Sequence, residues 1–361
     1  MTFVVHAPEP FACLPETTVR EAMARINDTP PHAGLVVVDG DGRLLGTVTD
    51  GDIRRGILRG VALDDAIATC MNAGAVPGRD GDAAGNLAVL AARPLQFLPI
   101  IDGHRRLVRI LFKRPGGSTL GAALVMAGGA GRRLGERTRA TPKPLLPIGD
   151  RPILDHVMTA LEDAGITDIH VAVHYLADQI ESFLAKRQSR ADVRVIHEPE
   201  PLGTAGAVGL LPPPKPGSRP GPGPLLVVNG DVLTRVDYRA LAAFHDRHEF
   251  EATVAVARYD VEIPFGVVRQ SADGVLLDID EKPRVTHFVA AGIYVLSPAF
   301  RALVPPSEPL DMPDLLALGR RVGLRAGLFP IHEYWTDIGR PHDLEAADTA
   351  HRNGRFGAAE A

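Results

Sequence analysis

The stretch LVMAGGAGRRL, residues 124–134, places Gly128, Gly129 and Gly131 after an apolar run and before Arg132 and Arg133. Backbone N–H groups in such a turn can approach phosphate with no Cβ in the way. Spacing excludes two common phosphate loops. A dinucleotide fingerprint started at Gly129 would need glycine at position 134, which is leucine. Neither Gly128 nor Gly129 leads into the Gly-Lys-Ser/Thr ending of a Walker loop. Downstream, TPKPLLPIGDRPIL (141–154) supplies Lys143, and PLLVVNGDV (224–232) is a buried-type strand ending on Asp231. In open α/β sheets an aspartate at the carboxyl end of a central strand lies over the ligand site. Phosphate chemistry with a cation and a carboxylate is therefore the first expectation.

The pattern G-G-x-G-x-R-L followed by P-K-P-L-L-P resembles the nucleotidyltransferases that make sugar nucleotides from a nucleoside triphosphate and a sugar 1-phosphate. The resemblance runs from about 121 to 347 and gives roles to particular residues. It implies that Gly128, Gly129 and Gly131 cradle the triphosphate, while Arg133 and Lys143 neutralise the phosphates that leave as pyrophosphate. Asp231 and Asp337, the latter in YWTDIGRPHDLEAA (334–347), match metal-ligand positions. Mg²⁺ takes one or two carboxylates plus phosphate oxygens and water, so this pair suffices. In EPEPLGTAGAV (198–208) Glu198 falls where relatives read the base, with Gly203 and Thr204 beside the nucleotide. A carboxylate only accepts hydrogen bonds, and guanine offers two adjacent donors, which favours GTP. Glu200 is the alternative contact. Gly266 of PFGVV and Glu281 of DIDEKP match sugar-binding positions, and Lys282 the residue on the sugar phosphate. Two positions depart from the usual pattern. Arg132 stands where relatives carry Thr or Ser, and either touches the triphosphate or faces water. Ala290 stands where many have Asn, which leaves the sugar open.

These motifs need a sheet to hold them. Helix-like DHVMTALEDAGI (155–166) precedes strand-like DIHVAVHY (168–175), and LADQIESFLAKR (176–187) precedes VRVIHE (193–198). Alternating strands and helices predict an α/β fold with a doubly wound, mostly parallel sheet and ligands at the strand ends. PPPKPGSRPGPGP (212–224) interrupts the alternation as a surface loop.

Ahead of the glycine turn lies an internal repeat. GLVVVDGDGRLLGTVTDGDI (34–53) is echoed by FLPIIDGHRRLVRILFKRP (97–115), each a strand, an Asp-Gly turn and a second strand. Helical runs accompany both, at 17–28, 52–60 and 83–94. One such unit exposes an apolar sheet face, so two pair to bury it. The segment resembles a tandem CBS-domain pair, with an α+β fold. Thr49 and Asp52 match that family's phosphate and ribose contacts, which implies a regulatory nucleotide; the plainer reading is that Asp52 caps the helix after it. In the second repeat Phe112 and Pro115 replace them. The predicted domains are 1–116 (regulatory, joining copies into a homo-oligomer), 117–350 (catalytic) and 351–361 (tail), with 114–121 as linker.

A length of 361 residues suits two domains. A net charge of −5 gives no general attraction to nucleic acid or an anionic membrane. Cys13 and Cys70 fit no metal spacing, and no secretory leader or membrane span is seen, which predicts a cytoplasmic protein. Past residue 350 only HRNGRFGAAEA remains, so no hexapeptide-repeat β-helix is expected. The arrangement is similar to guanylyltransferases of bacterial surface-sugar pathways. That implies glucosamine 1-phosphate as substrate, as in legionaminic acid synthesis. Mannose- or heptose-1-phosphate enzymes are the nearer alternative, and a UTP- or dTTP-dependent enzyme the further one. A catalytically silent, nucleotide-sensing subunit on the same fold is the alternative of another class.

Overall fold

The computed structural model describes residues 3–28, 34–92, 95–113, 120–212, 223–354 and 356. Residues 114–119 of the expected linker, Pro115 among them, and 213–222 of the proline-rich segment lie outside these. The chain forms two compact units, Met1–Gly117 and Ser118–Ala361.

In the first unit both halves of the repeat fold as antiparallel hairpins. Leu35–Val38 pairs with Leu44–Val48, and Phe97–Ile101 with Leu107–Lys113. Asp39 and Asp102 make the two turns alike, each accepting the backbone N–H groups two and four residues on. Val36, Val38, Leu44, Phe97, Ile110 and Phe112 form one buried cluster drawn from both hairpins. Each sheet thus covers the apolar face of the other, as the repeat requires. Helices Val19–Asp28, Asp50–Leu58 and Ala83–Ala92 lie within the predicted runs or within two residues of them.

The second unit is built on a seven-stranded sheet. Its order is Asp192–His197, Asp168–Val173, Ala122–Met126, Leu225–Asn229, Arg284–Leu296, Ala252–Glu262 and Ala326–Ile331. The first four strands run parallel, and Arg284–Leu296 is antiparallel to both its neighbours. Buried strands such as Leu225–Val228 and Ala123–Val125 read as continuous apolar runs because helices cover both faces. Each such side chain contributes roughly 1.5–3 kcal/mol. Ala122–Met126 has Asp168–Val173 on one side and Leu225–Asn229 on the other, so the strand order reverses around it. That reversal opens a crevice at the carboxyl ends, where the glycine turn and Asn-Gly-Asp both emerge. The ends of Ala252–Glu262 and Arg284–Leu296 continue outward and carry a further hairpin, Gly266–Gln270 with Leu276–Glu281. Among the described residues no helix is long and apolar enough to cross a membrane.

Two of the buried histidines in this unit illustrate its pH signature. His245 is 4% exposed, with Nδ1 2.9 Å from Thr253 Oγ1, and His156 Nε2 sits 3.1 Å from the Ile148 carbonyl. Burial holds both below the ordinary histidine value of 6.5. The unfolded chain then binds protons more readily than the fold does. The stability these two neutral imidazoles contribute is fully present above about pH 6.5 and is lost as the pH falls below it. A melting series from pH 7.5 to 5.5 should show a falling midpoint, with a shallower fall in His245→Gln.

Candidate active site

Three glycines of one turn serve three different ends. A Cβ on Gly128 would stand 2.8 Å from Glu198 Oε1 and 3.3 Å from the His174 Cβ, so the turn packs on those residues. Gly129 has open space around it and lines both adjoining cavities. Gly131 has φ 61°, the left-handed region, and leads into the 3₁₀ turn Arg132–Thr138.

The cavities differ in character. One, of about 260 Å³, is bounded by Gly129, Arg132, Arg133, Lys143, Asp231 and Gly339. The other, of about 680 Å³, is bounded by Gly128, Arg132, Thr138, Arg139, His174 and Tyr175. The second is of the size that takes a small organic ligand. The first is lined by cations and a carboxylate.

Asp231 and Asp337 come together through chain pairing. Past Gly230, whose N–H donates to the Met126 carbonyl at 2.9 Å, the strand Val232–Thr234 pairs antiparallel with Trp335–Asp337. Val232 stands opposite Asp337, and the Ile338 N–H donates to the Asp231 carbonyl at 3.1 Å. Lys143, on the turn Lys143–Leu145, is 7% exposed. Its Nζ donates to Asp231 Oδ2 and lies 3.7 Å from Asp337 Oδ1. Burial, and then the neighbouring Asp231, raises the Asp337 carboxyl above its usual range, against the pull of Lys143 and Arg133. Asp231 Oδ1 is buried with no hydrogen-bond partner among the described residues. A buried, unsatisfied carboxylate oxygen beside a second carboxylate is a donor set that fits a small divalent cation.

Glu198 is 7% exposed and Glu200 is exposed, which separates the two candidates. Glu198 Oε2 accepts the Leu202 N–H at 3.0 Å, and its Oε1 faces Gly128. Burial raises its carboxyl above the usual value, partly offset by that N–H and by His174. Glu198, Gly203 and Thr204 border neither cavity, Glu198 reaching the glycine turn only through its contact with Gly128. Thr204 Oγ1 instead lies 3.3 Å from Asp311 Oδ1 and accepts the Met312 N–H at 2.8 Å, securing the start of helix Met312–Arg321. Gly266 and Glu281 are paired in register on the projecting hairpin, and Lys282 follows at φ 48°. Among the described residues Glu281 and Lys282 make no hydrogen bond or ion pair with Lys143, Asp231 or Asp337. Ala290 lies exposed next to Ala291, whose carbonyl accepts the Trp335 Nε1–H at 2.9 Å.

Sequence reasoning missed the residues that hold the turn. Tyr175 Oη lies 3.1 and 3.2 Å from the Thr138 and Arg139 carbonyls, and its N–H donates to the Gly128 carbonyl at 3.3 Å. Gln179 Nε2 donates to the Ala140 carbonyl at 2.9 Å. Their signal was positional: they follow the carboxyl end of the strand adjacent to the glycine turn. In the first unit Thr49 and Asp52 form a reciprocal helix cap. The Asp52 N–H donates to Thr49 Oγ1 at 3.2 Å, and Asp52 Oδ2 accepts the Thr49 N–H at 2.9 Å.

Residues 122–354 match the nucleotidyl transferase family. The chain belongs to that family. A second match, to the CBS domain, covers residues 5–59. Among relatives of this nucleotidyl transferase, the catalytic subunit beta of mannose-1-phosphate guanylyltransferase from Drosophila pseudoobscura pseudoobscura is 36% identical over 228 residues. That alignment covers 62% of this chain and 60% of the relative. Mannose-1-phosphate guanyltransferase beta-B from Xenopus laevis is 33% identical over 231 residues, 62% of each chain. This chain therefore spans about three-fifths of the length of those relatives. A crystal structure from Bacillus anthracis, provisionally described as a glucose-1-phosphate thymidylyltransferase, is 25% identical with a TM-score of 0.51. It covers 66% of this chain and 97% of its own. Its likeness agrees with the mixed α/β fold and mainly parallel sheet of this nucleotidyl transferase.

Proposed function

We propose that residues 117–350 transfer a guanylyl group from GTP to a sugar 1-phosphate, releasing pyrophosphate. The observation that carries the reading is the gathering of Lys143, Asp231 and Asp337 beside the glycine turn. The nucleoside occupies the larger cavity and the phosphates extend over Gly129 into the smaller one. A sugar phosphate oxygen attacks the α-phosphorus; the new P–O bond forms as the bond to the β-phosphate oxygen breaks. The sugar phosphate is already ionised near neutral pH, so no proton has to be removed and no histidine is required. Lys143 and Arg133 offset phosphate charge, and the turn fixes the line of attack. Asp231 and Asp337 would hold Mg²⁺, which when bound reduces the repulsion between the two reacting anions. Gly266, Glu281 and Lys282 are assigned to the sugar phosphate.

Guanine selection rests on Glu198, whose buried carboxylate backs the turn beside the nucleoside cavity. For the sugar, the activity named for the relatives above supports mannose 1-phosphate as the first choice. Glucosamine 1-phosphate rests on resemblance alone, and Ala290 removes a side chain that would otherwise narrow the choice. GTP offered with mannose, glucosamine, glucose and heptose 1-phosphates, with products weighed by mass spectrometry, should yield one dominant GDP-sugar. GDP-mannose as a minor product would overturn the assignment of the sugar.

In the first unit the cap is favoured over the nucleotide contact. Asp52 Oδ2 is taken by Thr49, and Oδ1 lies 2.5 Å from Arg55 Nη2. A ribose would have to displace both. Asp52→Ala should cost about 1 kcal/mol of stability, because it removes the N3 partner of the Thr49 capping box. It should leave any response of activity to added nucleotides as it is in the wild type; a lost response would restore the nucleotide site. Assembly of copies is then the role left to this unit, to be read from the mass of the full chain in solution.

A further inference from the structure

Among the described residues Lys143 is the ion-pair partner of both Asp231 and Asp337. Its Nζ donates to Asp231 Oδ2 and stands 3.7 Å from Asp337 Oδ1, so one ammonium is shared between two carboxylates. Arg133 borders the same cavity and, among the described residues, pairs with neither. The lysine is firmly seated. It is 7% exposed, it follows Pro142, and its carbonyl accepts the Leu146 N–H at 3.1 Å. A Cβ on Gly131 would stand 3.1 Å from the Lys143 Cβ, so the stem packs against the glycine turn.

Neighbouring carboxylates repel one another unless positive charge lies between them. We infer that the Lys143 ammonium fills the cation seat of the free protein, so that a divalent ion is kept out until the ammonium leaves. This rests on the assignment of Asp231 and Asp337 as cation ligands within the guanylyl-transfer reading. An ammonium is a compact point charge that bonds carboxylate oxygens much as a metal ion does. A second cation entering beside it would meet like charge at close range, where the protein screens less than water. The ammonium satisfies one oxygen of Asp231, and Oδ1 stays without a partner among the described residues. Lys143 thus keeps the two carboxylates together in the absence of metal. Phosphate oxygens arriving over the glycine turn offer the ammonium other partners, and its departure frees Asp231 Oδ2. Metal uptake then accompanies the triphosphate and does not precede it.

The test uses Mn²⁺ alone, with its binding to the full chain counted by electron paramagnetic resonance and no nucleotide present. Lys143→Met keeps the length of the stem and removes the charge, and it should bind Mn²⁺ at least about tenfold more tightly than wild type. Lys143→Gln should show the same direction of change. Lys143→Arg keeps a charge and should stay within about threefold of wild type. Adding Asp231→Asn to Lys143→Met should abolish the gain, which places the ion at the carboxylates. Mn²⁺ should also raise the melting midpoint of Lys143→Met more than that of wild type. Equal Mn²⁺ affinity in wild type, Lys143→Met and Lys143→Gln would overturn the inference, and so would a gain that survives Asp231→Asn. Wild-type turnover of GTP with Mg²⁺ is measured alongside. Tighter Mn²⁺ binding without turnover would uphold the role of Lys143 and count against guanylyl transfer; turnover without tighter binding would do the reverse.

Discussion

Asp231→Asn is expected to lower turnover by at least about a thousandfold while the protein stays folded. The substitution keeps the shape of the side chain and removes one charge. Two things are lost with it. The buried Oδ1, which finds no partner among the described residues, ceases to be a strong donor for a cation. Lys143 loses its charged partner and is left 3.7 Å from Asp337. In the free enzyme the ammonium would then move toward Asp337, whose carboxyl burial and Asp231 had raised. The backbone around the site does not depend on the carboxylate, because Ile338 bonds the Asp231 carbonyl and Val232–Thr234 keeps its pairing. The melting midpoint should therefore shift by only a few degrees, a size typical of about 1 kcal/mol. Steady-state kinetics together with thermal melts check both halves. Activity within tenfold of wild type would contradict the metal role.

The second large effect is a change of base. Glu198→Gln should cut kcat/KM for GTP about thirtyfold and raise it for UTP or dTTP, reversing the preference. In the wild type Oε2 is fixed by the Leu202 N–H, which leaves Oε1 facing the turn as an acceptor. A glutamine that keeps the bond to Leu202 must use its oxygen there and turn its amino group toward the base. Guanine then meets donors with donors, whereas uracil and thymine present a carbonyl. A mismatch of this kind costs roughly 2 kcal/mol, about thirtyfold. Acid gives an independent reading. The Glu198 carboxyl takes up a proton at a higher pH than an ordinary glutamate, because burial disfavours its charge. The GTP preference of wild type should weaken as the pH falls toward that range, and the variant should show no such trend.

Local motifs were the legible part of this molecule. Strand, turn and cations follow one another within 122–143, so their chemistry could be read from residues a few positions apart. The repeated Asp-Gly hairpins likewise announced a sheet pair, because each needs the other's apolar face covered. What could not be read was distance in space. Asp231 and Asp337 are brought opposite each other by a short strand pair, and only family resemblance linked them beforehand. Tyr175 and Gln179 bear no motif, since their work is to donate to backbone carbonyls whose position the fold decides. Burial separated Glu198 from Glu200, two residues identical in type. Thr204 has a second role that no motif announced: in a glycine-threonine turn that suggests a ligand contact, its hydroxyl accepts the N–H that opens the next helix. Thr49 and Asp52 are the same lesson in the first unit, where a motif for ribose is also a sufficient motif for a helix cap.

The central claim is that this site moves a guanylyl group. Pyrophosphate release by the full chain with Mg²⁺, measured for GTP, ATP, CTP, UTP and dTTP against mannose 1-phosphate, tests it most directly. Release with GTP is expected to be at least tenfold faster than with any other triphosphate, with none when the sugar phosphate is omitted. No release from any pair would leave a silent nucleotide-binding subunit, and faster release from UTP or dTTP would remove Glu198 as the reader of the base.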